Sequence, residues 1–147
     1  MPRHLACRSL LLATVLLLSA AAPAAMFVDR SEIHFRPGEA NRQDVTITNP
    51  DAEPLYVRVD VTEVFRAGTP DEERRVATEA ADIRLLATPS KVVVPPGQQR
   101  AVRLVNVAGN GDSERVFRVK FTPVVGKVET GDGSMAVKVV VAYDILV

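Results

Sequence analysis

Cysteine is almost missing from this chain, with Cys7 the sole example in 147 residues, and tryptophan is missing altogether. Histidine is nearly as scarce, at His4 and His34. These absences exclude a disulfide framework, a cysteine nucleophile beyond Cys7 and any zinc site built from several histidines. An excess of charge of one sign is also lacking, because 18 basic residues face 18 acidic ones. A chain so balanced has no clustered positive field for nucleic acid or for an anionic membrane surface. Glycine is modest at 8 residues, and the stretch Gly109-Asn110-Gly111-Asp112 has the composition of a turn, without the following helix that a phosphate-cradling loop needs.

What is present at the start is a leader. Arg3 and Arg8 give a positive beginning, Leu10 to Ala20 is apolar, and Ala22-Pro23-Ala24 supplies small residues for cleavage. The apolar run is shorter than the roughly 20 residues a membrane span requires, so residues 1–25 read as a secretory signal removed after Ala24 or Ala25, rather than as an anchor or a core helix. On that reading Cys7 is lost, no membrane span remains, and residues 26–147 carry 16 basic and 18 acidic side chains, a charge of −2. About 120 residues make one ordinary domain, held by its core alone.

From Phe27 onward the apolar residues recur with period two, as in strands with one buried face. Val45 and Ile47 alternate with Thr46 and Thr48; Leu55, Val57, Val59 and Val61 alternate with Tyr56, Arg58, Asp60 and Thr62. Val102 and Leu104 are set against Ala101, Arg103 and Val105, and Phe117, Val119 and Phe121 against Val116, Arg118 and Lys120. Turn signals separate them: Pro37-Gly38, Asn49-Pro50-Asp51, Pro95-Pro96-Gly97, the glycine pair at 109 and 111, and Asp132-Gly133. About seven short strands so punctuated predict an all-β, immunoglobulin-like antiparallel sandwich without a disulfide. Residues 66–82 break the pattern and predict a surface excursion, a binding loop or a solvated connection, with a short helix at Pro70 to Ala80.

Catalytic candidates are few. His34 is expected on an outward strand position, and the acidic pairs Glu72-Glu73 and Asp60-Glu63 lie on a loop and a strand exterior with no pocket residues around them. The chain therefore reads as a non-enzyme with no cofactor and no metal. Arg103 and Glu114 stand on otherwise aliphatic strands, where they are either a partly buried ion pair or two unrelated surface charges. The C-terminal "MAVKVVVAYDILV", residues 135–147, is apolar at both parities. That is the pattern of an interior strand covered on both sides, or of a strand with one face left for something else.

In order, "FVDRSEIHF", "DVTITNP", "LYVRVDV", "LLATPSKVVVPPGQQRAVRLV", "ERVFRVKFTPV" and "MAVKVVVAYDILV" resemble the periplasmic chaperones of the chaperone/usher pathway, which assemble pili in Gram-negative bacteria. The resemblance implies an N-terminal immunoglobulin-like domain that caps a pilus subunit by donating a strand, before delivery to an outer-membrane usher. It places Val137, Val139 and Val141 in the subunit groove, with Tyr143 and Ile145 continuing that row, and makes Arg103 and Glu114 an internal salt bridge. The basic residues with which the family holds a subunit's terminal carboxylate align with Glu32 and Leu146, neither of them basic, so Arg30 is the substitute expected here. The chain stops where the family crosses to its second domain, which is expected to be absent, and the exposed last strand is expected to self-pair. The other reading is an immunoglobulin-like pilus subunit or adhesion module. A subunit should, however, begin with a disposable alternating extension, and residue Phe27 opens an ordinary first strand instead.

Overall fold

The computed structural model describes residues 26–109, 113–124 and 140–147. Among them nine strands form: β1 (Phe27–Val28), β2 (Arg42–Thr48), β3 (Leu55–Phe65), β4 (Glu73–Arg75), β5 (Leu85–Thr88), β6 (Lys91–Val94), β7 (Gln99–Asn106), β8 (Val116–Pro123) and β9 (Tyr143–Leu146). One sheet has the order β1-β2-β7-β5; the other runs β4-β3-β8-β9, with β6 also paired to β3. Every pairing of named strands is antiparallel. Because β5 pairs with β7 and β6 with β3, the chain changes sheet between Thr88 and Lys91. The result is the expected immunoglobulin-like sandwich, its nine strands including the two-residue β1 and the three-residue β4.

The two sheets meet on the alternating residues. Val45, Ile47, Val102 and Leu104 from one layer close on Val57, Val59, Phe117, Val119, Phe121 and Ile145 from the other, all within one buried cluster. Burying each such side chain contributes about 1.5–3 kcal/mol, and this burial has no disulfide to assist it. The turn at Pro95-Pro96-Gly97 returns the chain from β6 to β7: Gln98 N donates to Pro95 O at 3.1 Å, and Gly97 takes φ +64°, the left-handed value a type II turn requires at that position.

The helix expected at Pro70 to Ala80 does not form. In its place the chain makes a β3–β4 hairpin, pairing Glu63 with Arg75 and Phe65 with Glu73, followed by a single 3-10 turn at Ala80–Asp82. Cross-strand contacts explain the outcome, since β4 gains a partner in β3 that an isolated polar helix would lack. The Arg75 guanidinium lies 4.5 Å from the centre of the Phe65 ring and bonds Glu73 at 2.7 Å.

Candidate functional site

The last strand is bonded on one side to β8, with Val119 opposite Ile145 and Phe121 opposite Tyr143. Phe117 and Val147 exchange both backbone hydrogen bonds, at 2.7 and 2.9 Å. In an antiparallel pair such exchange recurs at every second residue, so the N–H and C=O of Leu146 and Asp144 point the other way. Leu146 uses both: its N–H donates to Ser31 O at 3.0 Å and its C=O accepts from Ile33 N at 2.9 Å, in a parallel bridge that sets Glu32 beside Leu146. Alongside Asp144, no neighbouring strand is found among the described residues. Among the described residues, this sheet edge is therefore closed at Leu146 and has no paired strand at Asp144.

The predicted groove-filling residues fare differently along this strand. Val137 and Val139 lie outside the described residues. Val141 is 52% exposed, whereas Ile145 is 2% exposed within the protein's own core. Tyr143 is half-buried against that core, and its hydroxyl donates to Met26 O at 2.8 Å. Tyr143 and Ile145 thus leave the set expected to face a partner: β8 holds this end of the strand within the sandwich, and the odd-numbered side chains there fill its interior. Of the described residues of the row, Val141 alone stands in solvent.

At the sealed end stand the residues of the first segment. Arg30 places Nε 3.6 Å from an oxygen of Asp29, and Nη1 donates to Gln43 Oε1 at 3.3 Å. Glu32 and Leu146, which occupy the family's basic positions by resemblance, are brought side by side. His34 lies on the surface as expected, with Nε2 3.1 Å from a Glu32 carboxylate oxygen.

The ion pair expected between Arg103 and Glu114 is replaced by another. Arg103 on β7 faces Asp44 on β2 in register, and Nε and Nη2 each donate to a carboxylate oxygen at 2.8 Å. Glu114 lies ahead of β8 in the opposite sheet, so the spacing that suggested the pair spans two layers. The Arg103–Asp44 pair is solvent-exposed. Its hydrogen bonds hold the Asp44 carboxyl below the ordinary aspartate range and push the Arg103 guanidinium higher still.

Sequence reasoning missed an apolar strip on the outer face of the β8–β9 sheet. Tyr56 stands opposite Val93, Val124 N donates to Tyr56 O at 2.7 Å, and all three side chains are exposed. Alternation had placed Tyr56 outward; only register reveals that the three are neighbours. Among the described residues, no group of three or more His, Cys, Asp or Glu side chains gathers as a metal site would require.

A family model described as pili and flagellar-assembly chaperone, PapD N-terminal domain, matches residues 25–147. No curated protein sequence matched. Among solved structures, the class 5 fimbriae chaperone CfaA is similar at TM-score 0.67 and 22% identity, over 82% of this chain and 54% of that one. A chain of the CsuC–CsuE chaperone–tip adhesion subunit pre-assembly complex, from archaic Csu pili of Acinetobacter baumannii, is similar at TM-score 0.63 and 14% identity, over 84% and 55%. A chain of the Salmonella enterica SafA pilin–SafB chaperone complex is similar at TM-score 0.59 and 15% identity, over 86% and 54%. The chain spans a little over half the length of each of these.

Proposed function

This chain belongs to the pili and flagellar-assembly chaperones by its PapD N-terminal domain, and from that premise we propose that it caps fimbrial subunits in the periplasm by lending them a strand. The observation that carries the reading is the edge of β9 at Asp144, which has no paired strand among the described residues, beside a Val141 left in solvent. An incomplete subunit sheet added along that edge gains backbone hydrogen bonds, and every second side chain enters its groove. In this proposal Val137, Val139 and Val141 are those side chains, each contributing about 1.5–3 kcal/mol of apolar burial before the ordering costs of association. Tyr143 and Ile145 root the same row in the chaperone core.

Arg30 is proposed to hold the subunit's terminal carboxylate, since it lies at the sealed end of the edge and its present contacts with Asp29 and Gln43 are exposed and exchangeable. The strip of Tyr56, Val93 and Val124 is proposed as the surface offered to an outer-membrane usher. A signal peptide at residues 1–25 accounts for export. Similar solved structures include a chaperone–tip adhesion subunit complex and a pilin–chaperone complex, and no catalytic role is assigned to any residue here.

The test is co-purification from periplasm with candidate fimbrial subunits. The double variant Val139→Asp, Val141→Asp is expected to lose capture while remaining folded, Arg30→Ala to weaken it, and Tyr56→Asp to retain capture but slow pilus assembly. Full capture by the double aspartate variant would refute strand donation through this face.

A further inference from the structure

The first described residue is already part of the core. Met26, one position ahead of β1, is 1% exposed and belongs to the cluster that both sheets share. Its carbonyl is engaged as well, accepting from the Tyr143 hydroxyl at 2.8 Å, so the residue that opens the domain is tied to the strand that closes it. An α-amino group carried by Met26 would share that burial. Burial disfavours the charged form of an amine, which in water is an ammonium below about pH 7.7–8.0. A chain that began at Met26 would therefore bring a charge, or the cost of losing its proton, into the core itself.

The sequence offers two bonds for removal of the leader. Before the bond between Ala24 and Ala25, the third and first residues back are Ala22 and Ala24; before the bond between Ala25 and Met26 they are Pro23 and Ala25. The leader pattern asks for small residues at both places, and only the earlier bond has two alanines there. Resting on the proposed reading of residues 1–25 as an export signal, we propose that the leader is cut between Ala24 and Ala25, so that the processed chain begins at Ala25. The step is a hydrolysis. The bond from the Ala24 carbonyl carbon to the Ala25 nitrogen breaks, water supplies a hydroxyl to the carbon and a proton to the nitrogen, and Ala25 carries the new ammonium. Met26 then enters the core through a neutral peptide bond, with its carbonyl still held by Tyr143. The charge stands one residue along the chain from the cluster instead of on it.

Intact mass tests the position of the cut. The full 147-residue chain, expressed in a Gram-negative bacterium, is expected to yield a periplasmic protein with the mass of residues 25–147. A mass one alanine lighter, that of residues 26–147, would overturn the proposal. A chain found only at full length in whole cells would reject the export reading itself, and the cut with it. Ala22→Gln is expected to block processing and Pro23→Gln to leave it intact, because the middle position of the pattern is unrestricted; the reverse result would move the cut to the next bond and overturn the proposal. The physical reason has its own check in two purified chains, one begun at Ala25 and one at Met26. A buried Met26 amine has a lowered pKa in the folded state, so the unfolded chain binds the extra proton and the form begun at Met26 gains stability as pH rises to about 8. It should melt below the form begun at Ala25 at about pH 6, and the gap should close towards about pH 8. Identical melting profiles would overturn the burial argument.

Discussion

Asn49 is the buried polar side chain on which a whole corner depends. Its Nδ2 donates to Glu53 O at 2.7 Å and to Val94 O at 2.9 Å, its Oδ1 accepts from Asp51 N at 3.0 Å, and its own N–H bonds Gln98 O at 3.0 Å. One amide therefore joins the turn after β2 to the end of β6. Replacing it with alanine leaves two carbonyls and an N–H short of partners in a site that is 0% exposed. Asn49→Ala should lower stability by about 1–3 kcal/mol, read from the midpoint of denaturant unfolding. Asp44 makes a different prediction. Its lowered pKa comes first from the Arg103 hydrogen bonds, so its stabilisation is complete above the ordinary aspartate range and disappears as pH falls through the lowered value. Carboxyl NMR titration should find Asp44 below an unperturbed aspartate, and Arg103→Ala should return it upward.

For strands, position along the element matters more than residue type. Val141 and Ile145 share one row, yet one is half in water and the other sealed in the core. Val141→Asp should change stability by about 0.5 kcal/mol or less, since it alters an exposed surface position. Ile145→Asp places a carboxylate among apolar side chains and should unfold the domain or cost at least about 3 kcal/mol. Thermal melts of the two variants decide the matter, and equal melting temperatures would contradict the placement of β9. The β3–β4 hairpin teaches a similar lesson: residues that looked like a helix start, Thr69-Pro70-Asp71-Glu72, instead build a turn in which Glu72 accepts from Gly68 N at 3.2 Å.

At the scale of the molecule, an edge with no paired strand at Asp144 among the described residues, beside the exposed Val140 and Val141, is open to any strand, including that of a second copy. Self-association is therefore expected at high concentration in the absence of a subunit, with Val141→Asp shifting the population to monomer. Sedimentation velocity across a concentration series checks this, and wild-type protein that stays monomeric throughout would count against it. A chain without disulfides still gathers one contiguous core because both sheets contribute to it and β9 is held against β8.

By itself, the sequence determined what local periodicity can determine. The alternations at Val45/Ile47, Val57/Val59, Val102/Leu104 and Phe117/Val119/Phe121 named the buried face of each strand, because successive side chains on a strand must point to opposite sides. Family likeness carried the order of those strands into a recognisable domain. Pairing between distant segments was decided only in three dimensions. Arg103 found Asp44 because β7 lies in register beside β2, Tyr56 joined Val93 across β3 and β6, and Ser31–Ile33 closed the edge at Leu146. Each of these depends on which strands become neighbours and in what register. That is a property of long-range contact, and no window of consecutive residues contains it.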